Sequence, residues 1–169
     1  MPSLDQSMET AYDIVYNIKM RVMIDTNVIF SGLYSSNGAS FALLKWLFSG
    51  SSHENKIMVV SAPLILEYQD VLLRPENIDK LPNLTREDVE QFVDDLCNIA
   101  KLQKINFLWR PFLRDHKDDM VLETAFNGEA DYIITHNMRD FSDVGKYFTI
   151  ELLTPSKFLS ILRSRGELI

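Results

Sequence analysis

Short apolar runs alternate in this chain with longer segments of helical periodicity, and this alternation most constrains the possible folds. Residues 21–25 form the first apolar run and end in the carboxylate of Asp25, as a buried strand does where it reaches the surface. Strands separated by helices indicate an α/β fold with a central, mostly parallel sheet of about five strands. The other predicted strands cover residues 56–60, 105–109, 131–135 and 148–153.

Helix-capping residues accompany several of the predicted helices. Ser61 is a suitable N-cap, with Pro63 in the first turn, where its missing N–H costs nothing. Thr85 and Asp88 have the spacing of a capping box ahead of an amphipathic stretch. The predicted helices cover about residues 41–48, 61–74, 86–102 and 119–126, with a terminal helix that begins at Thr154-Pro155 and stops at Gly166.

Length and composition favour one domain. The 169 residues are 46% hydrophobic, enough for one ordinary core. Cys97 is the only cysteine, so an intramolecular disulfide and a structural cysteine-zinc site are excluded, and a reducing cytoplasm fits. No apolar run reaches the roughly 18 residues of a membrane span, so we expect no membrane association. We assign residues 20–169 to the domain and residues 1–19 to an extension that forms an extra helix or packs on a neighbouring chain.

The charge balance bears directly on function. The formal net charge of −7 is the opposite of the broad basic footprint of proteins that bind nucleic acid by neutralising phosphates. A nuclease whose positive charge is a bound divalent cation can still be acidic, because some of its carboxylates are the ligands of that cation. Acidity therefore weighs against nucleic-acid binding without excluding it.

Two carboxylates stand beside buried segments. Asp25 ends the first predicted strand, and its ordinary interpretation is a helix N-cap. Glu67 borders the apolar face of the predicted helix after Ser61, where a carboxylate needs a partner, a cation or a path to solvent. Neither residue indicates a site by itself.

Two further clusters are polar. Asp118, Asp119 and Glu123 gather around the start of one predicted helix, where they either complement the helix dipole or, since like charges repel, share a divalent cation. Residues 135–140 follow another predicted strand and form either a second cluster at the same sheet edge or a polar turn anchored by Phe141. The carboxyl ends of parallel strands bring Asp25 and residues 135–140 to one edge.

Together these motifs resemble the PIN domain family, and more narrowly the bacterial and archaeal PIN proteins described as toxins of toxin-antitoxin pairs. The resemblance covers about residues 21–163. The matching stretches, in order, are Ile-Asp-Thr-Asn-Val at 24–28, Ser61 with Leu-Glu-Tyr at 66–68, Asp-Asp with Leu-Glu-Thr-Ala within 118–125, and Ala-Asp-Tyr-Ile-Ile-Thr at 130–135 leading to Asp140-Phe141.

The resemblance implies a three-layer α/β/α fold and a site in which Asp25, Glu67 and Asp119 hold Mg²⁺ or Mn²⁺ and Asp140 is the fourth catalytic acid. One position departs from the pattern, because many relatives have an acid where this chain has Asn137, and Asp140 is the nearest replacement. The resemblance and the local sequence assign supporting roles to Thr26, Asn27, Asp118, Glu123, Thr135 and Asn137.

The implied activity is metal-dependent endoribonuclease cleavage of RNA that leaves a 5′-phosphate. The resemblance also implies an antitoxin partner that covers the acidic cleft and a homodimer. The basic residues expected to meet RNA phosphates, which equally suit solvated loop charges, are Arg110, Arg114, Lys117 and Arg139.

Two alternative functions stay open. One is a non-catalytic PIN module that binds RNA or a protein partner. The other is an aspartyl-phosphate protein, but a phosphatase of the haloacid-dehalogenase type needs a second Asp where this chain has Asn27. A receiver domain needs an acidic pair before the end of the first strand and a late Lys, and neither is found.

Overall fold

The computed structural model describes residues 20–49 and 56–168, so the predicted extension at residues 1–19 lies outside the described residues. The strands are short and the helices carry most of the chain. The strands are β1 (Val22–Ile24), β2 (Val59–Val60), β3 (Lys101–Leu102), β4 (Tyr132–Ile134) and β5 (Glu151–Leu153). The helices are α1 (Thr26–Tyr34), α2 (Ala39–Leu47), α3 (Ala62–Leu72), α4 (Pro75–Ile78), α5 (Arg86–Ile99), α6 (His116–Asn127), α7 (Val144–Tyr147) and α8 (Pro155–Ser164).

All strand pairs in the described residues are parallel. One group has the order β1-β4-β5 and the other pairs β2 with β3. A parallel bridge between Val22 and Met58 joins the groups through β1 and β2. The combined order is therefore β3-β2-β1-β4-β5, and the expected parallel sheet of five strands is confirmed.

Both faces of this sheet are covered. Val22, Met23 and Ile24 are all fully buried, although successive side chains of a strand point to opposite faces. Helix α2 contacts both α1 and α8, and α3 contacts α5 and α6. Helix α6 also lies against β1, β2 and β4. This arrangement confirms the expected α/β/α fold.

The predicted caps explain where the helices begin. Leu64 N–H donates to Ser61 Oγ at 3.3 Å, and Thr85 with Asp88 forms a complete capping box. Gly166 ends the terminal helix with a φ of 71°, in the left-handed region that favours glycine. None of the helices within the described ranges is both long and apolar enough to cross a membrane.

The prediction of a strand at residues 105–109 is wrong. The chain joins the sheet earlier, where Lys101 N–H donates to Met58 C=O at 2.8 Å and Gln103 N–H donates to Val60 C=O at 2.7 Å. The backbone N–H groups of Asn106 and Phe107 instead bind the side chain of Asn127. The apolar character of this stretch reflects aromatic packing outside the sheet.

Candidate active site

The carboxyl ends of β1 and β4 bring Asp25 and Thr135 together. Ile24 pairs with Ile134 in the parallel register, so the residues that follow them are also neighbours. Asp25 N–H donates to Ile134 C=O at 2.9 Å. The sequence therefore placed these two side chains correctly at one edge of the sheet.

A hydrogen-bond network fixes the Asp25 carboxylate. Its Oδ2 accepts from Thr135 Oγ1 at 2.6 Å and from Asn27 Nδ2 at 2.6 Å. Asn27 Oδ1 in turn accepts from His136 N–H at 3.2 Å. Burial raises the pKa of Asp25, while the hydrogen bond from Thr135 opposes that rise. Asp25 is thus held in one orientation, in a setting that disfavours its charge.

An open cavity of about 300 Å³ lies beside this network. Three carboxylates from different parts of the chain line it: Asp25 after β1, Glu67 on α3 and Asp118 on α6. The rest of the wall consists of Thr26, Asn27, Phe30, Val71, Asn77, Lys117 and Val121. Asp25 and Glu67 thus line the same cavity, and Asp118 is the third acid of its wall.

Asp118 is the most perturbed of these acids. Its pKa is raised to about 7, first by partial burial and then by the negative charges of Asp25, Asp115 and Asp140. A group that prefers to keep its proton among other carboxylates indicates a site with uncompensated negative charge.

Asp119 occupies a different environment from the one expected of a metal ligand. It is fully buried and is not among the described residues that line the cavity. Its Oδ1 accepts from Leu113 N–H at 2.7 Å and from Phe112 N–H at 3.2 Å. One residue advances an α-helix by about 100°, so the two consecutive acids of α6 leave the helix in different directions. Asp118 is therefore the acid of α6 that lines the cavity.

Glu123 and Arg110 also differ from expectation, because they bind each other. Glu123 is buried, with 2% of its surface exposed, and its two oxygens accept from Arg110 Nε and Nη2 at 2.9 to 3.2 Å. Trp109 N–H also donates to Glu123 at 3.1 Å. This geometry gives both residues a role in holding the segment before α6, rather than at the cavity.

Asp140 lies in the loop after β4, outside the described residues that line the cavity. Asn137 N–H donates to Thr135 Oγ1 at 2.9 Å, and Asn137 Nδ2 donates to Asp140 Oδ2. The charge of Asp140 contributes to the raised pKa of Asp118. Asn137 thus connects Asp140 to the network around Asp25.

The remaining predicted basic residues are exposed. Arg114 lies close enough to Asp143 to contribute to the lowering of the Asp143 pKa. Arg139 follows the Asn137 turn on the surface. Lys117 is exposed as well as lining the cavity. Of these three, Lys117 lies nearest the acidic side chains.

Sequence reasoning missed several contacts that shape the site. The Tyr68 hydroxyl donates to Ile24 C=O, the last residue before Asp25 in β1. Ser61 Oγ and Thr124 Oγ1 lie 2.7 Å apart, which ties α3 to α6 beneath the carboxylates. Ser40 Oγ lies 2.9 Å from His136 Nε2. Partners this distant in sequence leave no local signal, although Ser61 and Thr124 both lie in motifs that the sequence singled out.

The chemistry of the donor set fits a hard divalent cation. Carboxylate oxygens from Asp25, Glu67 and Asp118, with amide oxygens nearby, are ligands that Mg²⁺ and Mn²⁺ prefer. Within residues 20–49 and 56–168, no group of three or more acidic, histidine or cysteine side chains is arranged to hold a metal ion as it stands. Such an open cavity suits an ion that keeps several of its waters, as Mg²⁺ does.

Fold and site together define a class: an α/β protein with an acidic cavity at the carboxyl edge of a parallel sheet. Comparison with protein families gives the same answer more narrowly, because a family model described as PIN domain matches residues 21–139. This match covers well over half of the chain, which therefore belongs to the PIN domain family. PIN domains are generally nucleases and typically use divalent metals. No curated protein matched the chain.

Proposed function

We propose that this protein is a Mg²⁺- or Mn²⁺-dependent endoribonuclease that acts in the cytoplasm. The observation that carries the proposal is the shared cavity of Asp25, Glu67 and Asp118, three acids from distant parts of the chain. Mutual repulsion and partial burial make such a cluster unfavourable without a cation. Membership of the PIN family supports a nuclease activity in general, and the carboxylate ligands support Mg²⁺ or Mn²⁺ as the metal.

The chain's own residues have distinct parts in this proposal. Asp25, Glu67 and Asp118 hold the ion, and the hydrogen bonds from Thr135 and Asn27 orient Asp25. When bound, a divalent cation stabilises negative charge on the phosphodiester and lowers the pKa of a nearby water molecule. The product expected from the family resemblance carries a 5′-phosphate.

The test is cleavage of structured and unstructured RNAs with and without Mg²⁺ or Mn²⁺. D25N, E67Q and D118N should each lose about 100-fold or more of the metal-dependent rate, because each removes a charged ligand. D70N is a matched control, since Asp70 is an exposed acid on the same helix as Glu67. Cleavage that persists in chelator, or that survives all three substitutions, would rule out this function.

We propose further that the enzyme is the toxin of a toxin-antitoxin pair and forms a homodimer, as the family resemblance implies. Induced expression should then arrest growth of a bacterial host, and D25N should relieve the arrest. A protein encoded beside it should bind over the acidic cleft and inhibit cleavage. If the active protein leaves growth unaffected, the toxin role is contradicted, whereas the nuclease activity is not.

One observation favours a second candidate function, a non-catalytic PIN module that binds RNA or a protein. Asn137 replaces an acid of the family pattern and binds Asp140 through its amide, so the site has one negative charge fewer. In that case RNA would bind without metal-dependent cleavage. N137D should then restore cleavage, whereas in an active enzyme it should change the rate modestly.

A further inference from the structure

Residues 103–117 are an unusual segment for so acidic a chain. They contain four basic side chains, Lys104, Arg110, Arg114 and Lys117, and one acidic side chain, in a protein with a net charge of −7. All four basic side chains are exposed. Phe107, Trp109 and Phe112 lie among them in sequence. Basic and aromatic residues that alternate in this way are typical of surfaces that bind nucleic acid.

One face of α6 holds this segment in place. Asn127 Oδ1 accepts from the N–H groups of residues 106 and 107 at 2.8 and 3.0 Å. One turn earlier Glu123 binds residues 109 and 110, and one turn before that Asp119 binds residues 112 and 113. The segment therefore runs antiparallel to α6 over about 12 Å, at 1.5 Å per helical residue. It ends beside Asp118 and the acidic cavity.

Six rings form a continuous aromatic strip along this path. Phe107 contacts Phe126, and Trp109 packs between Phe126 and Phe148, with centroids 6.0, 5.1 and 5.1 Å apart. Phe112 then contacts Phe148 at 5.4 Å and Tyr147 at 5.6 Å. The aromatic strip thus consists of Phe107, Trp109, Phe112, Phe126, Tyr147 and Phe148.

The outer members of the strip are open to solvent. Phe107 is 62% exposed and Tyr147 is 70% exposed, whereas Trp109, Phe112, Phe126 and Phe148 are partly buried and fix their positions. Large exposed aromatic side chains are costly to leave in water and are commonly found where a ligand stacks.

We propose that the aromatic strip is the path by which single-stranded RNA approaches the acidic cavity, an inference that rests on the proposed nuclease function. Unpaired bases stack on Phe107 and Tyr147, and the phosphates nearer the acidic cavity meet Arg114 and Lys117. Stacking requires the face of a base, which is hidden in a duplex, so the substrate class is unpaired RNA.

The test is binding of a fluorescein-labelled, unstructured 12-nucleotide RNA, measured by anisotropy. The D25N background with Mg²⁺ keeps the probe intact. F107A/Y147A should weaken binding about tenfold, because aromatic–base stacking is lost. Y34A is the matched control, since Tyr34 is 53% exposed on α1, outside the strip, and it should change binding less than twofold. Unchanged thermal unfolding would show that both variants are folded.

Further binding measurements test whether the aromatic side chains contribute by stacking on bases. The F107A/Y147W variant should bind the RNA more tightly than F107A/Y147A, because base stacking is insensitive to the identity of the aromatic ring. A duplex of the same sequence should bind the parent protein more weakly than the single strand. A probe with abasic sites should remove the difference between the parent and F107A/Y147A.

Several results would overturn the inference. Equal binding by the parent, F107A/Y147A and Y34A would show that the strip does not contact RNA, even if wild-type cleavage is metal-dependent. A change in molar mass by light scattering, with RNA binding unaltered, would make the strip an interface between proteins. If the protein binds RNA through the aromatic strip but never cleaves it, the nuclease proposal is refuted and the RNA-binding role of the strip is supported.

Discussion

Asp118 and Asp119 are consecutive residues of α6, yet their carboxylates lie in different surroundings. Asp118 lines the cavity that contains Asp25 and Glu67. Asp119 is fully buried and accepts backbone N–H groups from the segment before the helix, including Leu113 at 2.7 Å. The first carboxylate lines an acidic cavity, and the second holds a loop.

Substituting each of these neighbours with alanine should give opposite results. D118A should lose about 100-fold or more of the cleavage rate while keeping or raising the thermal unfolding temperature, since a repelled charge is removed. D119A should lower the free energy of unfolding by about 1 to 3 kcal/mol, because buried N–H groups lose their acceptor. Urea unfolding and cleavage assays on both variants check the assignment. A D119A protein as stable as wild type would contradict it.

Stability without metal should depend on pH through Asp118. Its pKa is raised from 3.8 in the unfolded chain to about 7 in the folded protein, so the folded state binds more protons between these values. The contribution is therefore complete below about pH 4 and is lost as the pH rises through about 7. The unfolding temperature of D118N should exceed that of wild type by a margin that grows across this window. A constant margin would contradict the raised pKa.

Metal binding should show the complementary pH dependence. A cation must displace the proton of Asp118, so Mn²⁺ affinity should rise as the pH increases towards and past about 7. Titration calorimetry of the wild-type protein measures the Mn²⁺ affinity between pH 5.5 and 8.5, which extends about one to two pH units on either side of the pKa. An affinity independent of pH would exclude Asp118 as a ligand.

Removal of the Thr135 hydroxyl should lower the cleavage rate. It donates to Asp25 at 2.6 Å and opposes the rise in the Asp25 pKa that burial causes. T135V should lower cleavage about 10-fold to 100-fold and move the pH profile of cleavage to higher pH, because Asp25 then holds its proton more tightly. T135S keeps the donor and is the matched control. A reduced rate with an unmoved pH profile would indicate a packing effect alone.

The Arg110–Glu123 pair should contribute to stability rather than to cleavage chemistry. Arg110 is half exposed but its guanidinium contacts both oxygens of the buried Glu123. R110A should lower the free energy of unfolding by about 2 kcal/mol, since it leaves that carboxylate without its charged partner. A double-mutant cycle with E123A, measured by urea unfolding, isolates the coupling. A coupling energy near zero would contradict the pairing.

Strong local patterns predicted the fold well. The apolar run before Asp25, the N-cap Ser61 and the capping box at Thr85 each express a rule that acts within a few residues, and each is confirmed. Helix α1 was not predicted, and neither were the short helices α4 and α7, which carry weak periodicity. Residues 105–109 misled because aromatic side chains that pack on α6 resemble those of a strand.

The candidate site was predictable only in part. Parallel topology alone brings Asp25 to Thr135, because both follow neighbouring strands. The choice between Asp118 and Asp119 depends on the rotation of α6, which depends on how Asp119 and Glu123 bind residues 109–113. Contacts at that level come from tertiary packing and leave no periodic signal in the sequence.

The most direct measurement is the position of Mn²⁺ in a crystal of the protein, located by its anomalous scattering. We predict density in the cavity after β1, with oxygen ligands from Asp25, Glu67 and Asp118, directly or through water. Soaked crystals of D118A should lose that density. Density beside Asp119 and Glu123, or none in the cavity at saturating Mn²⁺, would contradict the assignment of this cavity as the metal site.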